Sequence, residues 1–368
     1  MLGGWSFVNP VAIEFGASRF DRAGTVIAGR RYAVVTYGEP AFAALGGRLR
    51  QIAGPPALVL DDVRPNPDFL ALAPSCARLR GAGIELIVAL GGGSAIDTAK
   101  VLAACAGDFS VVRAHLESAG KSELPTPLPI IAIPTTAGTG SEVTCWATVW
   151  DSEAKRKYSL ADPRLYPAAA IVDPDLTLSL PRALTLSTGL DALSHALESL
   201  WNRNANPVSA SYAVAAARDI LEVLPALLDR LDDPALRSRM AQAALFAGLA
   251  FSNTKTALAH SLSYDVTLHH GVPHGIACSF TLPQVMRAAI GEDAACDARL
   301  AAIFGPDLGA GADRFEATLR AMGLALEPSA YGVGDAAWRG FVEKAIGGER
   351  GQNFIGRRER ILENFALA

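Results

Sequence analysis

A chain of 368 residues, half of them hydrophobic and 19% charged, is long enough for two domains with buried cores. Its formal net charge of −4 leaves no basic footprint for nucleic acid, and its greasiest helical run, MAQAALFAGLAF, is too short for a membrane span. Five scattered cysteines without a C-x2-C pair argue against a disulfide framework or a cysteine-built zinc site. Together with an N-terminus lacking the basic and apolar regions of a secretory signal, they lead us to expect a cytoplasmic protein that binds neither membrane nor nucleic acid.

In chain order, FVNPVAIEFG is a short extended piece and RYAVVTYG a strand ending at Gly38, followed by a helical AFAALGGRLRQIA. ALVLDDV is the next strand, and PNPDFLALAPSCARLRGAG carries a helix. IELIVALGGGS is a buried strand running into glycines, AIDTAKVLAACAG the helix after it, and PIIAIPTTAGTGSE a further strand running into a loop of small residues. This alternation predicts a parallel sheet covered on both faces. Strand-like pieces broken by prolines (TVWD, KYSL, AAAIVD) follow up to Asp175. Beyond LSLPRAL the pattern is helical to the end, with one helix expected from Met240 through Ser263. The expected division is an α/β nucleotide-binding domain over 1–180 and an all-α domain over 181–368.

Two loops in the first part carry phosphate-binding chemistry. In IVALGGGSAIDTAK a strand hands over to a helix through Gly91, Gly92, Gly93 and Ser94. Glycines let backbone approach an anion, and a helix N-terminus offers free N–H groups and partial positive charge. PTTAGTGSE adds Thr135, Thr136, Thr139 and Ser141. Small polar loops at the carboxyl ends of parallel strands are where open α/β sheets bind nucleotides.

The second part carries metal-binding chemistry. Asp191 and His195 in GLDALSHALESLW stand at i and i+4, on one helix face, and are followed by His260 in TALAHSLSY and His274 in GVPHGIACS. Of six histidines, five fall at His195, His260, His269, His270 and His274. One oxygen and three nitrogens suit Fe(II), Zn(II), Co(II) or Mn(II), and argue against an all-oxygen cage for calcium or magnesium.

GGGSAIDTAK, PTTAGTGSEVT, VDPDLTLSLP, GLDALSHALES and His260 with PHG at 273–275 resemble, in order and spacing, the iron-containing (group III) alcohol dehydrogenases over essentially the whole chain. The resemblance implies the dehydroquinate synthase-like fold of that family, with a Rossmann-like N-terminal domain, an all-helical C-terminal domain, and metal and substrate in the cleft between them. It implies Asp191, His195, His260 and His274 as ligands of Fe(II), or of Zn(II) in its place. Gly91, Gly92, Gly93, Ser94 and Asp97 match the pyrophosphate loop. Thr135, Thr136, Thr139, Ser141 and Lys157 match residues lining the cofactor, with Asn66 and Leu176 near its adenosine half. The implied activity is hydride transfer between NAD or NADP and a small aldehyde or alcohol; the extended N-terminal piece leads us to expect a homodimer or larger homo-oligomer through strand exchange. On related scaffolds the alternatives are a reductase of a carboxylated carbonyl, like maleylacetate reductases, and an NAD-using lyase of dehydroquinate synthase type.

Three positions depart from the family pattern. Tyr264 stands where many members carry a second histidine, so it becomes a candidate proton relay or a packing residue, with His269 and His270 as rival relays. Tyr37, followed by Gly38, replaces an acidic residue that holds the ribose, which opens the site to NADP, whereas the nearby Glu39 argues the other way. Lys255 in SNTKTALAH stands where glycine is common; it either holds an anionic substrate, aided by Asn253 and Thr256, or reaches solvent or an acid. NTKTALAHSLSY and HHGVPHG resemble the phosphonate-metabolism subgroup, whose members reduce phosphonoacetaldehyde to 2-hydroxyethylphosphonate.

Overall fold

The computed structural model describes residues 4–365. The chain forms two compact units, one spanning Asn9–Ser179 and one running from Leu180 onward together with the segment ending at Val8. That first segment, expected with the nucleotide-binding domain, belongs instead to the helical unit. Val8 N donates to Asn253 Oδ1 at 2.9 Å, and Asn253 Nδ2 donates back to Val8 O at 3.2 Å.

The first unit is built on a six-stranded sheet of β1 (Ala12–Phe15), β2 (Tyr32–Val35), β3 (Leu58–Leu60), β4 (Leu86–Gly91), β5 (Ile130–Pro134) and β8 (Ala169–Val172), in the order β1-β8-β5-β4-β2-β3. Every pairing in it is parallel. Between them β6 (Trp146–Asp151) and β7 (Arg156–Ala161) form a separate antiparallel hairpin. The alternation of side chains along a strand explains the two cores. Ala33, Val35, Ile87, Ala89, Ile130 and Ala132 pack with Cys76 and Ile96 on one face. Tyr32, Val34, Leu86, Val88, Ile131 and Ile133 pack with Phe20 and Leu49 on the other. A helix over Phe109–Glu117 escaped the sequence reading; Asp108 starts it by accepting from Ser110 N.

The strand order also fixes where a ligand fits. From β2 the chain moves to β3 on one side, whereas from β4 it moves to β5 on the other. The carboxyl ends of β2 and β4 therefore flank a topological switch point, the crevice where open α/β sheets take ligands.

In the helical unit, Arg182–Leu200, Pro207–Asp229 and Pro234–Thr254 are the long helices. The single helix expected from Met240 through Ser263 is broken. Pro234–Thr254 ends at Lys255, whose φ of 64° and ψ of 173° cannot continue a helix, and Leu258–His270 starts afresh. Among the described residues no helix is long and apolar enough to cross a membrane.

Candidate metal centre and nucleotide loops

Within the helical unit, helix Arg182–Leu200 presents Asp191, His195 and Glu198 at i, i+4 and i+7, and so on one face. Around Asp191 Oδ1 lie His260 Nε2 at 3.5 Å, His195 Nε2 at 3.8 Å and His274 Nε2 at 3.9 Å. The His195 ring is stacked between Phe251, with ring centroids 3.9 Å apart, and His260, with centroids 4.6 Å apart. His274 reaches the cluster because Gly275 lets its turn press onto helix Arg182–Leu200. A Cβ on Gly275 would lie 1.8 Å from Ser187 O. The His274 side chain is 36% exposed and is the open side of the cluster; those of Asp191, His195 and His260 are at most 6% exposed.

Glu198, which the sequence reading missed, holds His260 in place. Leu258–His270 has no side-chain cap of its own, and the Glu198 carboxylate supplies one. Its Oε1 accepts from Ala259 N at 2.6 Å and His260 N at 3.2 Å, and its Oε2 accepts from Ala257 N at 2.9 Å. Oε2 is also 2.6 Å from His260 Nδ1. An ionised carboxylate only accepts, so Nδ1 carries a proton and Nε2 is the atom left to face Asp191. Among the described residues that buried Nε2 has no hydrogen-bond partner. This is the arrangement in which a carboxylate orients a metal-binding imidazole.

The electrostatics call for a cation. Asp191 is 4% exposed and Glu198 is fully buried, and buried carboxylates need positive charge beside them. Burial alone would push both carboxyls up; the His195, His260 and His274 imidazoles outweigh it at Asp191, and His260 with backbone N–H groups outweighs it at Glu198, so both are held below their ordinary values. Burial works against a charged His260 as well, yet Glu198 and Asp191 prevail and raise it to about 10. A second proton on His260 thus meets the demand that a divalent ion would meet by displacing it. One further donor joins the group: Cys278 Sγ is 3.5 Å from Asp191 Oδ1, and the ligand atoms of Asp191, His260, His274 and Cys278 all lie within 4.8 Å of one another.

The other expected catalytic residues separate. Tyr264 is half-buried, four residues after His260 and so one turn along the same helix face. His270 ends that helix, about 15 Å along its axis from His260 at 1.5 Å per residue, with its ring edge-on to Phe341 at 6.0 Å. The helix therefore does not bring His270 to the cluster as expected. His269 Nε2 stands 3.6 Å from Asp265 Oδ1. Lys255 has a half-exposed side chain whose Nζ is 3.5 Å from Glu349 Oε1. Its carbonyl accepts from Asn202 Nδ2 at 3.1 Å, two residues before the N–H of Ala257 that Glu198 binds.

In the sheet unit, the two loops interlock at the carboxyl ends of β4 and β5. A Cβ on Gly93 would meet Thr139 Cγ2 at 2.6 Å, and one on Gly92 would meet Thr136 at 3.2 Å. Thr135 N donates to Gly91 O at 3.1 Å. Tyr37 covers the turn, its ring 2.7 Å from where a Gly91 Cβ would be. Its hydroxyl bonds Ser94 and the Ala95 backbone, and burial, the larger effect, pushes the phenol up. Gly38 runs close to Asp61 O, which a Cβ would approach to 3.1 Å. Asn66, at φ 59°, donates its N–H to Ser94 Oγ at 3.2 Å. Asp97 accepts from Ser141 Oγ at 2.6 Å and Thr148 N at 2.8 Å. Burial pushes the Asp97 carboxyl up, opposed by Lys100, by the Ser141 and Thr148 bonds and, least, by the charge of Lys157 on β7. Leu176 packs against the core cluster of Phe20 and Leu49. The sequence reading missed Lys100, fully buried three residues after Asp97. Its Nζ donates to Ser141 O at 2.7 Å, Ser141 Oγ at 2.9 Å and Trp146 O at 2.8 Å, tying the second loop to the helix that follows the first.

The family described as iron-containing alcohol dehydrogenase matches residues 10–174, and its C-terminal counterpart, the Fe-containing alcohol dehydrogenase family, matches 185–357. Alcohol dehydrogenase 4 of Saccharomyces cerevisiae is 32% identical over 296 residues, 77% of this chain and 75% of that protein. Phosphonoacetaldehyde reductase of Streptomyces viridochromogenes is 37% identical over 238 residues, 63% of this chain and 60% of that relative, so the chain spans under two thirds of that relative's length. Among solved structures, sulfoacetaldehyde reductase from Bifidobacterium kashiwanohense in complex with NAD+ superposes with a TM-score of 0.91 at 29% identity, covering 99% of this chain and 98% of that one. By sequence and by fold, the chain belongs to the iron-containing alcohol dehydrogenase family.

Proposed function

We propose that the chain is a metal-dependent, NAD(P)-linked alcohol dehydrogenase that reduces a small aldehyde carrying an anionic tail. The observation that carries this reading is the convergence of three imidazoles on Asp191 Oδ1, one of them aimed by Glu198. In this reading Asp191, His195, His260 and His274 hold Fe(II), or Zn(II) in its place. When bound, the ion supplies Lewis-acid polarisation of a carbonyl oxygen and the nicotinamide supplies the hydride. The protein aligns the reacting atoms and keeps their surroundings dry. Glu198 keeps His260 Nδ1 protonated, so its Nε2 stays a donor to the ion. Tyr264, one turn from His260, passes a proton from its hydroxyl to the oxygen of the product.

The backbone of Gly91, Gly92, Gly93 and Ser94 binds the pyrophosphate. Tyr37, Gly38, Asn66 and Leu176 serve the adenosine half, and Thr135, Thr136, Thr139, Ser141 and Lys157 line the remainder. Asp97 keeps Ser141 in position. Tyr37 in place of a carboxylate leaves no charge of its own to repel a 2′-phosphate, so NADP is accepted as well as NAD.

The anionic tail is supported by Lys255 and by two relatives whose names specify phosphonoacetaldehyde and sulfoacetaldehyde. Lys255 occupies a backbone conformation that is nearly glycine's alone and costs roughly 1–3 kcal/mol, which makes its side chain the reason for its presence. Its half-exposed pairing with Glu349 at 3.5 Å is weak enough for a substrate anion to replace. The test is oxidation of NADH and NADPH with phosphonoacetaldehyde, sulfoacetaldehyde and neutral two- and three-carbon aldehydes. The anionic substrates should be preferred, and Lys255→Ala should remove that preference while sparing neutral aldehydes. A variant that loses both equally overturns the role of Lys255; a protein that reduces no aldehyde overturns the activity.

A further inference from the structure

The cluster around Asp191 holds a donor that the four-ligand reading does not use. Cys278 follows His274 by four residues and is fully buried. Its position is fixed from two sides. Ser194 Oγ donates to Cys278 O at 3.2 Å and pairs with Ser279 Oγ at 2.8 Å, while Ser279 Oγ is 3.0 Å from Leu190 O. These bonds run from the same helix that carries Asp191 and His195, so the thiol is held beside the carboxylate. Sγ is 3.5 Å from Asp191 Oδ1 and 3.6 Å from Gly275 O.

The spacing fits coordination. Metal–oxygen and metal–sulfur bonds of about 2.0 and 2.3 Å, at the angles of roughly 90–120° between neighbours around a five-coordinate ion, put oxygen and sulfur about 3.0–3.7 Å apart. The Cys278–Asp191 separation of 3.5 Å falls in that range, and the buried His260 Nε2, without a hydrogen-bond partner among the described residues, belongs to the same compact group.

Resting on the metal-centre reading above, we propose that Cys278 is a sulfur donor of this centre and shifts its preference from Fe(II) towards Zn(II). On coordination the thiol loses its proton to solvent and no redox change occurs. Sulfur is a soft donor, so its presence beside imidazoles and a carboxylate favours zinc over iron more than the oxygen and nitrogen donors alone do.

The experiment uses the full chain, stripped of metal and reloaded with Co(II) as a spectroscopic stand-in for zinc. Wild type should take up cobalt and show an intense near-ultraviolet sulfur-to-cobalt charge-transfer band. Cys278→Ser and Cys278→Ala should lose the band, and their zinc affinity should fall by at least about tenfold, and by more than their iron affinity. Wild-type protein that holds cobalt without the band overturns the proposal and leaves Cys278 as a hydrogen-bond donor to Asp191; that spectrum needs no variant to fold. Protein that takes up no cobalt, zinc or iron overturns the underlying metal reading instead.

Discussion

Glu198→Gln tests whether the helix cap beneath His260 aims the imidazole proposed to bind metal. Oε1 accepts from Ala259 N and His260 N, while Oε2 accepts from Ala257 N and faces His260 Nδ1. In glutamine one of these positions becomes an NH2 group. Two backbone donors on the Oε1 side cannot change character, so the amide oxygen is expected there and the NH2 faces Nδ1. His260 must then accept at Nδ1 and keep its proton on Nε2, which withholds the lone pair that an ion would bind. Loss of such an orienting partner lowers metal affinity about 10- to 100-fold, or about 1.4–2.7 kcal/mol. The metal-free protein should also lose about 1–3 kcal/mol, because Ala257 N is left without its acceptor in a buried place. Chelator-competition titrations read the first effect and urea unfolding in the presence of chelator reads the second. A variant that binds metal within twofold of wild type refutes the reasoning.

Gly93→Ala should raise the KM for NAD(H) with the fold intact, because its Cβ would press on Thr139 at 2.6 Å and separate the two loops; an unchanged KM shows that the loops tolerate the displacement. Lys255→Gly should raise stability by roughly 1–3 kcal/mol in urea unfolding, since glycine adopts that conformation freely; no gain means that the lysine is not strained. Glu142 is buried, and burial lifts its carboxyl from an ordinary 4.5 to about 7. The folded state thus holds a proton that the unfolded chain has released, so stability should fall as pH rises from 4.5 towards 7, by about 3 kcal/mol. Glu142→Gln should flatten unfolding curves across that range; an unaltered pH profile assigns the dependence elsewhere.

Much of this architecture is legible in the sequence because it follows from periodicity and from residues that must meet one ligand. The parallel sheet is visible in apolar runs such as IELIVAL, and both loops in their glycines and threonines. What escaped depends on tertiary partners. Lys255 is a good helix former, so nothing local marks the break between Thr254 and Leu258; the break places three backbone donors on Glu198, more than 55 residues earlier in the chain. Glu198 itself left a signal, three residues after His195 on the face of Asp191, but a glutamate on a helix is ordinarily solvent-facing. Cys278 left none, since its approach to Asp191 depends on the serine pair Ser194 and Ser279. His270, expected as a relay from its nearness in sequence to Tyr264, lies ten residues along the helix from His260.

In the proposed mechanism an ion held by Asp191, His195, His260 and His274 polarises the substrate carbonyl. Its most direct test is elemental analysis of the purified protein alongside NADH-dependent aldehyde reduction before chelation, after chelation, and after adding back Fe(II) or Zn(II). A single divalent ion per chain, loss of activity on its removal and recovery on its return are expected. Full activity in protein shown to be free of metal would contradict this mechanism.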